Sequence, residues 1–91
     1  MRLADKVVIV TGAGSGFGEG IASRLAQEGA KVLVNDINAD AGERVADAIR
    51  KANGNAQFEQ ADVTRDADWV RLVRSAESKF GRLDVVINNA G

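Results

Sequence analysis

The feature that most constrains this chain is a run of four β-branched residues that leads directly into a glycine-rich loop. The run covers Val7 to Val10, and four of the next eight residues, Thr11 to Gly18, are glycine. Such a run predicts a buried strand, and apolar residues at helical spacing over 19–28 predict a helix after the loop. Glycine lets a phosphate approach the backbone closely, and the start of a helix offers unpaired N–H groups to it. The pattern therefore predicts a site for a phosphate-bearing ligand.

The spacing of the glycines distinguishes between the known phosphate loops. The pattern G-x-G-x-x-G does not fit from Gly12, because Phe17 stands where the third glycine belongs. A Walker A loop ends in Gly-Lys-Ser/Thr, and this loop contains no lysine. The pattern T-G-x-x-x-G-x-G does fit, with Thr11, Gly12, Gly16 and Gly18 in register.

An acidic residue follows the second predicted strand. The run from Lys31 to Asn35 ends at Asp36, which lies 20 residues beyond Gly16. An acid about 20 residues after the glycine loop is the group that hydrogen-bonds the adenosine ribose in dinucleotide-binding folds. The alternative is a tight turn whose glycines only permit close packing. Strand, loop, helix, strand and acid in register favour dinucleotide binding over that alternative.

The loop closely resembles the cofactor loop of the classical short-chain dehydrogenase/reductase family. The extended branch of that family has glycine where this chain has Ser15. The segment Ala61-Asp62-Val63 also resembles the family, whose members carry Asp-Val here. The resemblance implies that Asp62 approaches the adenine ring and that Val63 packs beside it. Taken alone, Asp62 fits better as a turn acid before the next helix.

The last nine residues, 83–91, are similar to the family's fourth strand and its Asn-Asn-Ala-Gly motif, so the resemblance covers essentially the whole chain. It implies that the backbone of the motif's last three residues faces the nicotinamide ribose. The cofactor-binding residues that it implies are Gly12, Ser15, Gly16, Phe17, Gly18, Asp36, Ile37, Asp62, Val63, Asn89, Ala90 and Gly91.

The choice between NAD and NADP depends on Asp36. A carboxylate accepts hydrogen bonds from both ribose hydroxyls and repels a 2′-phosphate. In the family that this chain resembles, NADP-preferring members usually carry Arg or Lys at the positions of Ser15, Ile37 or Asn38. None of these three residues is a cation here. We therefore expect NAD as cofactor, and we expect no cation near Asp36 to compensate for a 2′-phosphate.

Strands and helices alternate along the chain, which predicts an α/β fold with a parallel sheet and right-handed crossovers. We expect a Rossmann-type open sheet with helices on both faces, the strand order 3-2-1-4, and the ligand at the carboxyl ends of the strands. The strands are predicted near 6–11, 31–36, 56–61 and 83–88, and the helices near 17–28, 39–53 and 66–80.

The predicted helix ends depend on residues with particular capping chemistry. Asn38 and Thr64 are the expected N-caps of the second and third helices. Gly29, Gly54 and Gly81 are each placed to end a helix in the left-handed conformation.

Composition excludes several classes of function. The net charge of −1 gives no reason to expect nucleic acid or a membrane surface as partner. The chain has no cysteine and no histidine, which excludes disulfides and thiolate chemistry and leaves only carboxylates as metal ligands. No signal peptide or membrane span is recognisable. We expect a cytoplasmic protein without a metal site.

The resemblance implies an oxidoreductase that transfers hydride between nicotinamide and an alcohol or carbonyl substrate. The family's catalytic serine and Tyr-x-x-x-Lys pair find no match here, and the chain has no tyrosine. We therefore expect residues 1–91 to be the N-terminal part of one Rossmann-type NAD-binding domain, inactive alone, from a homo-oligomeric enzyme that is a dimer or tetramer. The alternatives are a catalytically inactive nucleotide-binding module and a half-fold that self-associates. A methyltransferase-type nucleotide fold fits less well, because Thr11 stands where that class has an acid.

Overall fold

Strands and amphipathic helices alternate along the whole described chain. The computed structural model describes residues 3–89. In chain order its elements are β1 (Val7–Val10), α1 (Gly16–Gln27), β2 (Lys31–Asp36), α2 (Ala39–Lys51), β3 (Asn55–Gln60), α3 (Asp66–Phe80) and β4 (Val85–Ile87). All the predicted strands and helices are present, and the largest difference is that β4 is shorter than expected.

The four strands form one parallel sheet in the order β3-β2-β1-β4, as predicted. In the central register Val10 lies between Val34 and Ile87. The last residues of β1 and β4 and the late part of β2 are therefore level with one another. Parallel strands leave their carboxyl ends at one edge of the sheet, so the loops that follow them meet there.

Alternate residues of β1 face two separate apolar clusters, because side chains on a strand point to opposite faces in turn. Val8 and Val10 pack with residues of α1 and α2, whereas Ile9 packs with Leu72 of α3. The helices therefore cover both faces of the sheet, as predicted. All four residues of β1 are buried, and full burial of an aliphatic side chain of this size contributes about 1.5–3 kcal/mol.

Three of the five predicted helix caps are confirmed. The Asn38 Oδ1 accepts a hydrogen bond of 3.0 Å from the Ala41 N–H and so caps the start of α2. Gly29 and Gly81 follow α1 and α3 in the left-handed region, with φ of 97° and 86°. Glycine carries no Cβ to clash in this conformation, which explains its use at these two ends.

The other two predicted caps are wrong. After α2 the left-handed residue is Asn53, with φ of 69°, and Gly54 comes one position later. Asparagine also tolerates this conformation, so Asn53 is the left-handed residue that ends α2, where Gly54 was predicted. Arg65 rather than Thr64 precedes α3, because the Thr64 hydroxyl donates to Asp62 instead.

Candidate functional site

The glycine loop between β1 and α1 leaves open space in front of exposed backbone. Gly12 and Gly16 adopt left-handed φ values of 60° and 59°. A Cβ built on Gly16 meets no heavy atom within 4 Å. Ser15 is the N-cap of α1, and its side chain makes no capping hydrogen bond. The N–H groups of the first turn of α1 are therefore not capped by a side chain, and they carry the positive end of the helix dipole.

Gly18 has a different role from Gly16, because it lies at a close contact inside the protein. A Cβ on Gly18 would lie 2.2 Å from the Gly12 carbonyl oxygen and 2.7 Å from the Asn89 Nδ2. A glycine is therefore needed for α1 to pack against its own loop and against the end of β4. This is the packing role of the third glycine in dinucleotide-binding loops.

Asp36, at the end of β2, lies directly against the glycine loop. Its Oδ2 accepts a hydrogen bond of 2.8 Å from the Gly14 N–H, and its Oδ1 accepts one of 2.9 Å from the Asn38 N–H. Two backbone donors therefore fix the carboxylate. Since an ionised carboxylate has about four lone-pair sites, it still has acceptor capacity for the hydroxyls of a ligand.

A cation also lies at this loop, so the expectation that none is nearby was wrong. The Arg44 Nη2 donates a hydrogen bond of 3.0 Å to the Gly14 carbonyl and lies 3.3 Å from the Glu19 Oε1. Arg44 is in the second turn of α2, and it reaches the loop because α1 and α2 pack side by side on one face of the sheet. No local sequence pattern links Arg44 to this loop, because 30 residues separate it from Gly14.

The end of β4 is tied to the same loop through Thr11. The Thr11 hydroxyl donates to the Asn88 Oδ1 at 3.2 Å and accepts from the Asn89 N–H at 3.0 Å. The Asn89 Nδ2 also donates to the Gly12 carbonyl at 3.2 Å. These hydrogen bonds hold Asn89 against the glycine loop. The other two predicted residues of this motif, Ala90 and Gly91, lie outside the described residues.

A cleft of about 320 Å³ opens at the carboxyl edge beside the glycine loop. Five of the predicted site residues line it: Gly12, Asp36, Ile37, Asp62 and Val63. Its full lining is Gly12, Asn35, Asp36, Ile37, Ala61, Asp62, Val63 and Thr64. The apolar walls and the two carboxylates suit a flat ring that carries polar edge groups.

Asp62 lines this cleft and also stabilises the turn before α3. Its Oδ1 accepts hydrogen bonds from the Thr64 hydroxyl at 2.6 Å and the Thr64 N–H at 3.0 Å. These bonds favour the ionised form and hold the pKa of the Asp62 carboxyl below its ordinary value. The turn role that the sequence allowed for Asp62 is therefore observed, and it leaves the residue at the cleft.

Two large apolar side chains are exposed next to these groups. Phe17, in the first turn of α1, is 86% exposed, and Ile37, directly after Asp36, is 63% exposed. Isolated exposed apolar residues are ordinary on a protein surface. Here both belong to the cofactor-binding residues that the family resemblance implies.

Elsewhere in residues 3–89 a larger groove, of about 380 Å³, lies between α1 and the end of α2. It contains none of the predicted site residues. Within the same described residues, no cluster of three or more His, Cys, Asp or Glu side chains is placed to hold a metal ion. None of the described helices combines the length and apolar character needed to cross a membrane.

A family model described as short chain dehydrogenase matches residues 6–91. The 7α-hydroxysteroid dehydrogenase of Escherichia coli K12 is 44% identical over 91 residues, which is all of this chain and 36% of that protein. An uncharacterised oxidoreductase of Thermotoga maritima is 43% identical, again over 100% of this chain and 36% of its own length. The chain therefore spans about a third of the length of the curated relatives it matches.

Solved structures of the same kind superpose closely on this chain. A 7α-hydroxysteroid dehydrogenase in complex with NADH and 7-oxo glycochenodeoxycholic acid has a TM-score of 0.97 and 44% identity, over 99% of this chain and 35% of that one. A short chain dehydrogenase from Mycobacterium avium has a TM-score of 0.96 and 40% identity, over 100% of this chain and 35% of that one.

Proposed function

This chain belongs to the short-chain dehydrogenase family, and from that membership we propose that it is the N-terminal NAD(H)-binding part of an oxidoreductase. The enzyme transfers hydride between nicotinamide and an alcohol or carbonyl substrate. One observation carries the proposal: the Asp36 carboxylate lies 2.8 Å from the Gly14 N–H, beside a helix start whose N–H groups lack a side-chain cap. That juxtaposition provides a ribose acceptor and a phosphate site in one place.

Different residues along the carboxyl edge of the sheet bind different parts of the dinucleotide. The backbone of Ser15 to Gly18 holds the pyrophosphate, and Asp36 accepts hydrogen bonds from the hydroxyls of the adenosine ribose. Ile37, Asp62 and Val63 surround the adenine in the cleft, and Phe17 lies at the exposed start of α1. By family resemblance Asn89, Ala90 and Gly91 are assigned to the nicotinamide ribose. When bound, the nicotinamide supplies or accepts the hydride.

We propose NAD rather than NADP because Asp36 places a negative charge at the ribose hydroxyls. Arg44 does not cancel this charge, since its guanidinium already binds the Gly14 carbonyl and pairs with Glu19. A 2′-phosphate at this ribose would lie directly against the Asp36 carboxylate. The NADH in the related solved structure supports a nicotinamide dinucleotide as the ligand class.

We further propose that residues 1–91 are one part of a single Rossmann-type domain whose catalytic residues lie elsewhere in the protein. No residue of this chain is proposed as catalytic. By family resemblance the intact enzyme is a cytoplasmic homo-oligomer, a dimer or tetramer, whose partners are the dinucleotide and a small alcohol or ketone. The alternative, a catalytically inactive nucleotide-binding or self-associating half-Rossmann unit, predicts the same cofactor cleft without turnover.

The test is an assay of the intact protein that contains this chain. Purified enzyme is incubated with NAD or NADP and a panel of alcohols and ketones that includes hydroxysteroids, and reduced nicotinamide is followed by its absorbance. We expect turnover with at least one substrate and a preference for NAD. Dinucleotide binding without turnover on any substrate supports the inactive alternative. Activity that requires S-adenosylmethionine, or no nicotinamide cofactor, refutes the proposal.

A further inference from the structure

The peptide groups on either side of Gly14 are held by two different elements of the fold. The Gly14 N–H donates to Asp36 at the end of β2, and the Gly14 carbonyl accepts from Arg44 on α2. Arg44 is in turn paired with Glu19 on α1. The position of this segment of the loop therefore depends on contacts from two elements outside it.

The close approach of these elements requires that residue 14 be glycine. A Cβ at Gly14 would lie 2.7 Å from the Asp36 Oδ2 and 2.9 Å from the Ala41 Cβ. Gly14 is not one of the three glycines in the T-G-x-x-x-G-x-G pattern, and its φ is not left-handed. Its small size serves the contact between the loop, the end of β2 and the start of α2.

From this arrangement we propose that Arg44 is a positioning residue for the dinucleotide. The inference rests on the proposed function and deepens it. Arg44 does not itself touch the ligand. By fixing the Gly14 carbonyl, it keeps the Gly14 N–H on Asp36, and it holds the loop in the form that receives the pyrophosphate.

The physical reason is the conformational entropy of a loop with four glycines in eight residues. Glycine loses more backbone freedom on ordering than any other residue, so a loose loop must be ordered when the ligand binds. A loop that is already ordered avoids this cost. The hydrogen bond from Arg44 to the Gly14 carbonyl carries the effect, because its ion pair with Glu19 is largely exposed and such pairs contribute little.

Arg50 is a matched control for Arg44 on the same helix. It also donates to a backbone carbonyl, that of Ala56 at 3.0 Å, and it also pairs with acids, Glu43 and Asp47. It does so at the opposite end of α2, away from the glycine loop. A general weakening of α2 would therefore affect Arg50→Gln and Arg44→Gln alike, whereas a specific effect on the loop would affect only the latter.

The experiment measures the Kd for NADH by calorimetric titration, kcat at saturating cofactor, and hydrogen exchange of the loop amides without cofactor, all in the intact protein. We expect Arg44→Gln to raise the Kd about 10-fold, equivalent to ~1.4 kcal/mol, with kcat within about two-fold of wild type. Exchange at residues 12–16 rises in the same variant. Arg44→Lys, which keeps a donor for the Gly14 carbonyl, recovers most of the affinity. Arg50→Gln leaves the Kd within about two-fold.

Equal increases in Kd for the two glutamine variants, or an Arg44→Gln variant with wild-type Kd and loop exchange, would overturn the inference while leaving the proposed function intact. A wild-type protein that binds no nicotinamide dinucleotide would refute the proposed function, and the inference with it.

Discussion

Replacement of Gly16 by valine is the sharpest test of the glycine loop, because it separates ligand binding from folding. In the structure a Cβ at this position meets nothing within 4 Å, so the side of Gly16 that would carry a side chain faces open space. Its methyl groups instead occupy the open space in front of the first turn of α1. If the pyrophosphate binds there, the valine side chain takes its place.

The size of each effect follows from the local geometry. The φ of 59° at Gly16 is left-handed, which costs an ordinary L-residue roughly 1–2 kcal/mol and a β-branched residue such as valine at least the upper end of that range. That cost is a fraction of the usual 5–15 kcal/mol stability of a domain. The loss of two charge-assisted hydrogen bonds to phosphate, at about 1.5–3 kcal/mol each, weakens binding by roughly 10²–10⁴-fold. Binding should therefore be lost while the fold survives.

The assay combines a calorimetric titration with NADH and a thermal unfolding scan followed by circular dichroism. Gly16→Ala carries the general cost of a Cβ at a left-handed φ without the bulk and added strain of a β-branched side chain, so it measures how much of the loss comes from the Cβ alone. Gly20→Ala is the control without strain, because Gly20 is an exposed residue of α1 whose Cβ also meets nothing within 4 Å. It should bind NADH normally and gain about 0.5–1 kcal/mol of stability.

A Gly16→Val protein that binds NADH within a few-fold of wild type would refute this reasoning. The loop would then be a packing turn, with its open space unused by the dinucleotide. A Gly16→Val protein that fails to fold would contradict the expectation that the fold survives, and binding would then be compared with Gly16→Ala.

Three further predictions concern Asp36, Asp84 and the isolated 91-residue chain. Asp36→Ala combined with Ile37→Arg should move the ratio of NADP to NAD affinity toward NADP, and an unchanged ratio in paired titrations would show that Asp36 is not at the ribose. Hydrogen bonds from the Val7 N–H and from Arg82 lower the pKa of Asp84. Because the pKa of Asp84 is lower in the folded protein, this stabilisation is present above the unfolded value of about 3.9 and is lost as pH falls through the folded value. Asp84→Asn should therefore reduce the loss of stability at acid pH in a series of unfolding measurements. An unchanged loss of stability at acid pH would contradict this role of Asp84. The 91-residue chain alone should self-associate, since the outer edge of β4 pairs with no strand in residues 3–89 and its valines are 37–43% exposed. It should also show no turnover, because the family's catalytic residues find no match in it. A monodisperse monomer in light scattering with cooperative unfolding would contradict the first expectation, and measurable turnover the second.

The order of elements, and the edge of the sheet at which the predicted site residues meet, were predictable because their signals are local. A buried strand, a glycine loop and a helix occupy adjacent residues from Val7 to Gln27, and alternation of strands with helices permits few topologies. The parallel order then places Asp36 and Asn89 at the same edge as the loop. Capping was less predictable: Asn53 and Gly54 are neighbours that both tolerate the left-handed conformation, and their local sequence does not decide which one ends α2.

The sequence by itself therefore determined the family, the alternating fold and the edge of the sheet where a dinucleotide is expected to bind. Only the tertiary structure decided how that edge is held together. Arg44 meets Gly14 across 30 residues, and Gly18 packs against Asn89 from the far end of the chain. Periodicity and turn chemistry act over a few residues. Contacts like these depend instead on how two helices lie on a sheet, and no local pattern in the sequence encodes that.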